Sequence, residues 1–354
     1  MSTPAHPALP SPVACEPLDR MVGRAGGSLT LVPGEEQVSY PLPPHASGEL
    51  CAFLRPHASA TFASAFLARL PGGRVFGPGH VLSPDGRTIA RDVSPDFGKP
   101  FEDHWLLAYK KIRPPVPVPG TTAVIATTLG AGYSHWLLEE LPRLFALQPD
   151  FGGSLIAHAE SARHRDALSL HGFSGRVIEP KRFAHHGCEQ LIVPSIGRLT
   201  PTTVHALGQF TAPLHRPGAG SGELLYISRE KARRRRVTNE SELWEQLAAR
   251  GFEKLYLEEL TWSQQINAFR GAKVVVAPHG AGLANLVFCA AGTRVVEIFH
   301  RSWVNPCFWQ LAALKGLDYR PVVLLSPEPL AQTLKANRSD IVADIAQVVA
   351  ALRG

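Results

Sequence analysis

Two apolar runs, Val274-Val275-Val276-Ala277-Pro278 and Val295-Val296-Glu297-Ile298-Phe299, the second interrupted by a single carboxylate, are joined by His279-Gly280-Ala281-Gly282-Leu283-Ala284-Asn285 and a later Gly292-Thr293 turn. β-branched runs without alternation read as strands buried on both faces, the kind found in parallel sheets. A helix after the small-residue turn then makes the whole segment one βαβ unit. Gly280, Ala281 and Gly282 let the backbone approach a ligand, and the N–H groups at the start of the following helix favour an anion. His279 and Glu297 fall at the mouths of neighbouring strands, where open α/β sheets bind their ligands. Such a turn also serves plain tight packing. The imidazole of His279 at the end of an apolar strand needs a polar partner, which favours the functional reading. Asn285 stands where the third glycine of G-x-G-x-x-G would be, so a nicotinamide dinucleotide is disfavoured.

At 354 residues the chain exceeds what one core usually serves, and its 45% hydrophobic content is ordinary for a globular protein. No apolar run approaches the ~20 residues that span a bilayer, and Met1 to Pro12 lacks the apolar core of a signal peptide. A cytoplasmic protein is therefore expected. The five cysteines, Cys15, Cys51, Cys188, Cys289 and Cys307, include no C-x-x-C pair, which points to reduced thiols rather than disulfides or a zinc site. A net charge of +6 suits an anionic ligand or an anionic membrane surface and is too mild to require nucleic acid.

Along the chain, residues 1–25 are Pro-rich and read as a disordered start. Residues 26–118 alternate short apolar runs with turns such as Pro71-Gly72-Gly73 and Pro84-Asp85-Gly86, a β-rich region. The Pro-rich stretch 114–120 reads as a stiff connector. A βα alternation over 119–217 predicts a first α/β domain, with strands at 124–127, 155–158, 177–179 and 190–193 and helices at 134–147, 162–171 and 202–214. The Gly-rich stretch 217–222 reads as a linker. The alternation restarts over 222–336, with strands near 224–228, 254–257, 273–277, 294–299 and 319–324 and helices near 263–270, 283–289 and 306–315, so two parallel sheets covered by helices are expected. Asn239 and Glu242 suggest a capping box for a helix ending at Gly251. The segment 337–354 holds a last helix, 340–352.

Two further constellations carry chemistry. In Tyr133-Ser134-His135-Trp136-Leu137-Leu138-Glu139-Glu140-Leu141-Pro142-Arg143, His135 and Glu139 are four apart and share a helical face. A carboxylate one turn away can orient an imidazole acting as general base on a hydroxyl, although an incidental surface pair has the same spacing. In Tyr226-Ile227-Ser228-Arg229 and the run Arg233-Arg234-Arg235-Arg236, guanidiniums near a strand end suit phosphate oxygens. At least two of the four arginines in the run are expected to be a solvated loop.

Taken together, HWLLEELPRL from His135, YISREKARRRRVTNESEL from Tyr226, PHGAGLANLVF from Pro278 and GTRVVEIF from Gly292 resemble glycosyltransferase family 61, which also contains bacterial proteins of capsular polysaccharide biosynthesis. The likeness covers roughly residues 120–325. It implies an α/β, GT-B-like fold, with two Rossmann-like domains facing across a cleft after the β-rich N-terminal region, and inverting transfer from a nucleotide sugar, typically a UDP-sugar. It also implies that Arg229, Arg236, His279, Gly280, Ala281, Gly282, Asn285 and Glu297 line the donor side and that His135, Trp136 and Glu139 belong to the acceptor side, His135 and Glu139 being the catalytic pair.

The chemistry of the residues is compatible with that. No D-x-D pair is present to chelate a divalent ion against a diphosphate, so arginine and backbone amides are expected to stabilise the leaving group without metal or cofactor. Glu297 is expected to accept hydrogen bonds from ribose hydroxyls. The expected partners are a nucleotide-sugar donor and a saccharide or lipid-linked saccharide acceptor, in the cytoplasm or at the inner membrane face, with no nucleic acid. A dinucleotide-dependent oxidoreductase, and a noncatalytic nucleotide-sugar or nucleic-acid-binding protein, are the competing readings.

Overall fold

A computed structural model describes residues 9–32, 36–96, 99–216, 218, 222–324, 329–333 and 336–353. The chain forms two compact units, one of residues 1–36 and 62–198 and the other of 37–61 and 199–354. These boundaries differ from those read in the sequence. The β-rich region and the first α/β region share one unit, while 37–61 and the helix Pro201–Phe210 belong with the C-terminal half.

The second unit is built on five parallel strands, here numbered β1 (Leu224–Ile227), β2 (Glu253–Leu255), β3 (Val274–Pro278), β4 (Arg294–Phe299) and β5 (Asp318–Val323). They lie in the order β2-β1-β3-β4-β5. This is a doubly wound order whose direction of winding reverses between β1 and β3. Its core gathers Tyr226, Val276, Val296, Ile298 and Val322 from the strands with Leu243, Leu247 and Val348 from helices. Helix Trp262–Gly271 opens with a complete capping box, Thr261 with Gln264.

Three local expectations are corrected in this unit. Asn239 caps nothing with its side chain, because its amide pairs with both the N–H and the carbonyl of Ala343. The last helix is Ile345–Ala351, since Asp344 caps it through the Gln347 amide and Ile341 runs extended beside Val237. The helix after Gly280 is a 3-10 helix, Ala281–Phe288, rather than an α-helix. The expected linker 217–222 lies largely outside the described residues.

The first unit holds a mixed ten-stranded sheet. Its parallel part runs Val177–Ile178, Ser154–Ile156, Val116–Val124, His185–Pro194, and antiparallel strands from 65–90 continue it on the other side. The Pro-rich connector is thus a strand, not a spacer. Val116–Val118 pairs with His186–Cys188, while the partner on its other side begins only at Thr122, so Pro117 and Pro119 fall where an N–H is not needed on both sides. The described part of the expected disordered start is folded as well: helix Leu18–Arg24 buries Leu18, Met21 and Val22 against the sheet, where their apolar surface compensates for the ordering of a Pro-rich segment.

Candidate active site

The reversal of winding between β1 and β3 creates a crevice at their C-terminal ends. Ile227, Ser228 and Arg229 from the end of β1 meet Ala277, Pro278, Gly280 and Gly282 from the end of β3, and with Leu257 and Glu258 they line a pocket of about 100 Å³. Gly280 packs against the Arg229 guanidinium: a Cβ on it would collide with Arg229 Nη1, and the arginine side chain would have to shift. Backbone and guanidinium therefore sit against each other at the pocket wall.

Arg229 is held by carbonyls, donating from Nε to Arg235 O at 3.2 Å and from Nη2 to Arg234 O at 2.9 Å. Arg235, with φ 56°, donates from Nε to His279 O at 3.1 Å and from Nη1 to Asn337 O at 3.0 Å. Among the described residues neither guanidinium forms an ion pair with a carboxylate. Burial lowers the pKa of Arg229, opposed by the Glu258 charge and reinforced by Arg234, and burial followed by repulsion from Arg229 and Arg234 brings Arg235 down to about 10. Two half-buried guanidiniums held by carbonyls, with Glu258 on the same pocket wall, keep a positive character suited to an anion.

Behind this wall lies a buried polar chain. His279, 5% exposed, has Nδ1 2.6 Å from Glu297 Oε1, and the Tyr319 hydroxyl donates to Glu297 Oε2 at 2.5 Å. The His279 ring is flanked by Phe299 and Phe308. Burial and the Glu297 charge raise the Tyr319 pKa, which keeps the phenol a donor. Glu297 is fully buried in mid-strand with both oxygens engaged, so it is turned toward His279 rather than toward a ribose. Asn285 is likewise fully buried and donates to Gln265 Oε1 and Gly282 O, each at 3.0 Å, which makes it a brace of the turn rather than a group facing ligand. Arg236 points elsewhere: it is exposed and pairs with Asp340, 2.8 Å from Nη2 to Oδ2. Ala281 and Gly282 remain partly exposed at the turn.

Arg235 is not singled out by the sequence. Nothing in a run of four arginines says which one turns inward, and only the left-handed backbone at 235 aims it back at His279. Arg233 and Arg234 are exposed, as a solvated loop would have them.

In the first unit, His135 Nδ1 lies 2.8 Å from Glu139 Oε1, with side chains 34% and 26% exposed. The expected helix is interrupted here: Trp136–Glu140 is wound as a π-helix between the α-helical turns Tyr133–His135 and Leu141–Leu144, a departure that recurs at functional sites. The rest of the motif is architectural. Glu140 is buried and accepts from Thr127 N, His158 N and His158 Nδ1, the last at 2.8 Å. Arg143, 2% exposed, donates to the carbonyls of Ile125, Ala126 and Pro194, tying together the ends of two adjacent parallel strands. Desolvation brings its pKa to about 10. The sequence-predicted site residues thus form two groups, His135 with Glu139 in the first unit and Arg229 with the 279–285 turn in the second.

The second group lies in a crevice with a cationic wall at the switch point of a doubly wound parallel sheet. Residues 133–296, which contain both groups, match the family model Glycosyltransferase 61. The chain is also similar to the EGF domain-specific O-linked N-acetylglucosamine transferase of Drosophila melanogaster, 29% identical over 109 residues, 30% of this chain and 21% of that protein. To the beta-1,2-xylosyltransferase of Arabidopsis thaliana it is 32% identical over 68 residues, 19% of this chain and 13% of that protein. The chain spans about a fifth or less of the length of these curated relatives. Among the described residues no helix is long and apolar enough to cross a membrane.

Proposed function

We propose that this chain is an inverting glycosyltransferase that moves a sugar from a nucleotide sugar, a UDP-sugar by the resemblance, to a hydroxyl of a saccharide or lipid-linked saccharide in surface polysaccharide or glycoconjugate synthesis, in the cytoplasm or at the inner membrane face. The observation that carries this reading is the pair of half-buried guanidiniums at the switch point, Arg229 and Arg235, which are held by carbonyls and, among the described residues, form no ion pair with a carboxylate. Phosphate oxygens match such a site in charge and geometry.

In the transfer, the acceptor oxygen attacks the anomeric carbon from the face opposite the diphosphate. The bond from that carbon to the diphosphate breaks, and a base takes the hydroxyl proton. Arg229 and the Gly280–Gly282 amides stabilise the charge gathering on the diphosphate, in the manner of preorganised donors aimed at developing charge. His135 takes the proton: with Glu139 ionised, Nδ1 donates to the carboxylate and Nε2 is the basic nitrogen. His279, Glu297, Tyr319 and Asn285 act through the loop, holding the turn and the carbonyl that anchors Arg235.

Thermal-shift screening against UDP-, GDP-, CMP- and dTDP-sugars tests the reading. A donor at ~100 times its dissociation constant adds about 2.7 kcal/mol of stability. A chain stabilised by none of the four classes does not use this crevice for a nucleotide sugar.

A further inference from the structure

On the first unit, the segments 105–117 and 181–187 run side by side: Val116 and Pro117 pair with His186 and Gly187, and His185 Nδ1 meets Arg113 O at 2.6 Å. Their surface exposes two aromatic rings, Tyr109 at 40% and Phe183 at 41%, whose centroids are 6.4 Å apart. Arg182 lies over the Phe183 ring, 5.1 Å from its centroid. Lys111 and Arg113, flanking the buried Ile112, are exposed, as is Lys181. The sequence contains no acidic residue from Trp105 to Leu138 or from Pro180 to Cys188. Glu179, the acid preceding Lys181, is turned inward to the Ala159 amide at 2.8 Å.

Exposed aromatic rings ringed by cations have the composition of an interfacial membrane contact, in which rings enter the headgroup layer and Lys and Arg meet anionic lipid. We infer that this face docks the protein on an anionic membrane surface. The inference uses none of the residues assigned to sugar transfer. The ring at 109 and the ring at 183 supply the apolar contact, and the basic side chains supply attraction that salt screens.

Sedimentation with vesicles tests it. The full chain is expected to pellet with vesicles of phosphatidylcholine and phosphatidylglycerol in equal parts, and not with phosphatidylcholine alone. Lys111→Glu with Lys181→Glu is expected to weaken binding by about fivefold or more for each residue changed. Tyr109→Ser with Phe183→Ser is expected to abolish the binding that survives high salt. All four positions are exposed, so the thermal midpoint should stay unchanged. Failure of the wild-type chain to pellet with anionic vesicles, equal pelleting by wild type and the charge variant, or preference for a single-stranded oligonucleotide over vesicles would each overturn the assignment.

Discussion

Glu297 at the centre of β4 holds His279 at the end of β3, with 2.6 Å between Oε1 and Nδ1, and gives its other oxygen to the Tyr319 hydroxyl at 2.5 Å. Three adjacent parallel strands are thereby joined through one fully buried carboxylate. A buried charge is tolerated only when its hydrogen bonds are made, and this one has a donor on each oxygen. The His279 carbonyl anchors Arg235, so the carboxylate reaches the cationic crevice at second hand.

Glu297→Gln should therefore cost stability before it costs ligand affinity. An amide cannot accept strongly from both His279 and Tyr319, and the loss is expected at about 1.5 to 3 kcal/mol, the range for a hydrogen bond to a charged group. Urea denaturation measures it, and Tyr319→Phe should account for part of the same loss in a double-mutant cycle. Unaltered stability with weakened nucleotide binding would return Glu297 to the ribose contact expected from sequence.

At the crevice itself, Arg229→Ala is expected to weaken nucleotide binding by about 1 to 3 kcal/mol. Gly280→Ala should weaken it too, because the new Cβ displaces Nη1 of Arg229. The two effects share one cause and should not add: in the Arg229→Ala background, Gly280→Ala should change little. Calorimetric titration of UDP into the two single variants and the double variant decides this, and full additivity would mean that the glycine acts independently of the guanidinium.

Strands β3 and β4 are legible because their Val-rich runs have few other uses, and the 279–282 turn is legible because small residues at a strand end mark close approach. Side-chain direction was not legible. Periodicity could not tell that Glu297 points to His279, that Arg235 turns inward while Arg236 pairs with Asp340, or that Asn285 braces Gly282. The segment 114–120 reads as a connector for a related reason, yet it pairs as a strand, since proline removes a donor but does not forbid a strand where one side lacks a partner. In HWLLEELPRL the motif was visible as a unit. Its division into an exposed pair, His135 with Glu139, and a buried frame, Glu140 with Arg143, depends on strand ends brought from elsewhere in the unit.

Buried in the first unit, His158 has a raised pKa: burial opposes the charged ring, but the hydrogen bond and charge of Glu140 outweigh it. The folded state thus favours the protonated ring. Its stabilisation is fully present below the unfolded value, near 6.5, and is lost as pH rises through the higher folded value. His158→Gln should accordingly lower the thermal midpoint most at acidic pH, with the gap from wild type narrowing toward alkaline pH. Neighbouring His164, brought down to about 3 by burial and nearby positive charge, has the opposite slope, costing stability as pH falls below 6.5. Replacing His158 also removes one of the charges that depress His164, so the gap reports the coupled pair, and a gap that widens with pH contradicts the assignment.

Transfer activity should survive EDTA, because Arg229, Arg235 and backbone amides are positioned to supply the charge that a divalent ion supplies elsewhere. Product formation assayed after chelation, with and without added Mn²⁺, checks this. Loss on chelation and recovery with Mn²⁺ would assign the leaving group to a metal.

His135 is paired with Glu139 at 2.8 Å on a π turn, and its ring is 34% exposed, which lets it meet an acceptor hydroxyl. A general base contributes roughly 10²- to 10⁴-fold, so His135→Ala should lower turnover by that factor with UDP affinity nearly intact. Glu139→Gln should cost less, because an amide can still accept from Nδ1 while no longer supporting the imidazolium. The order reverses if Glu139 itself takes the proton. Turnover and UDP affinity measured on both variants separate the cases: wild-type turnover in His135→Ala, or loss of UDP binding ahead of turnover, removes His135 from the proton transfer.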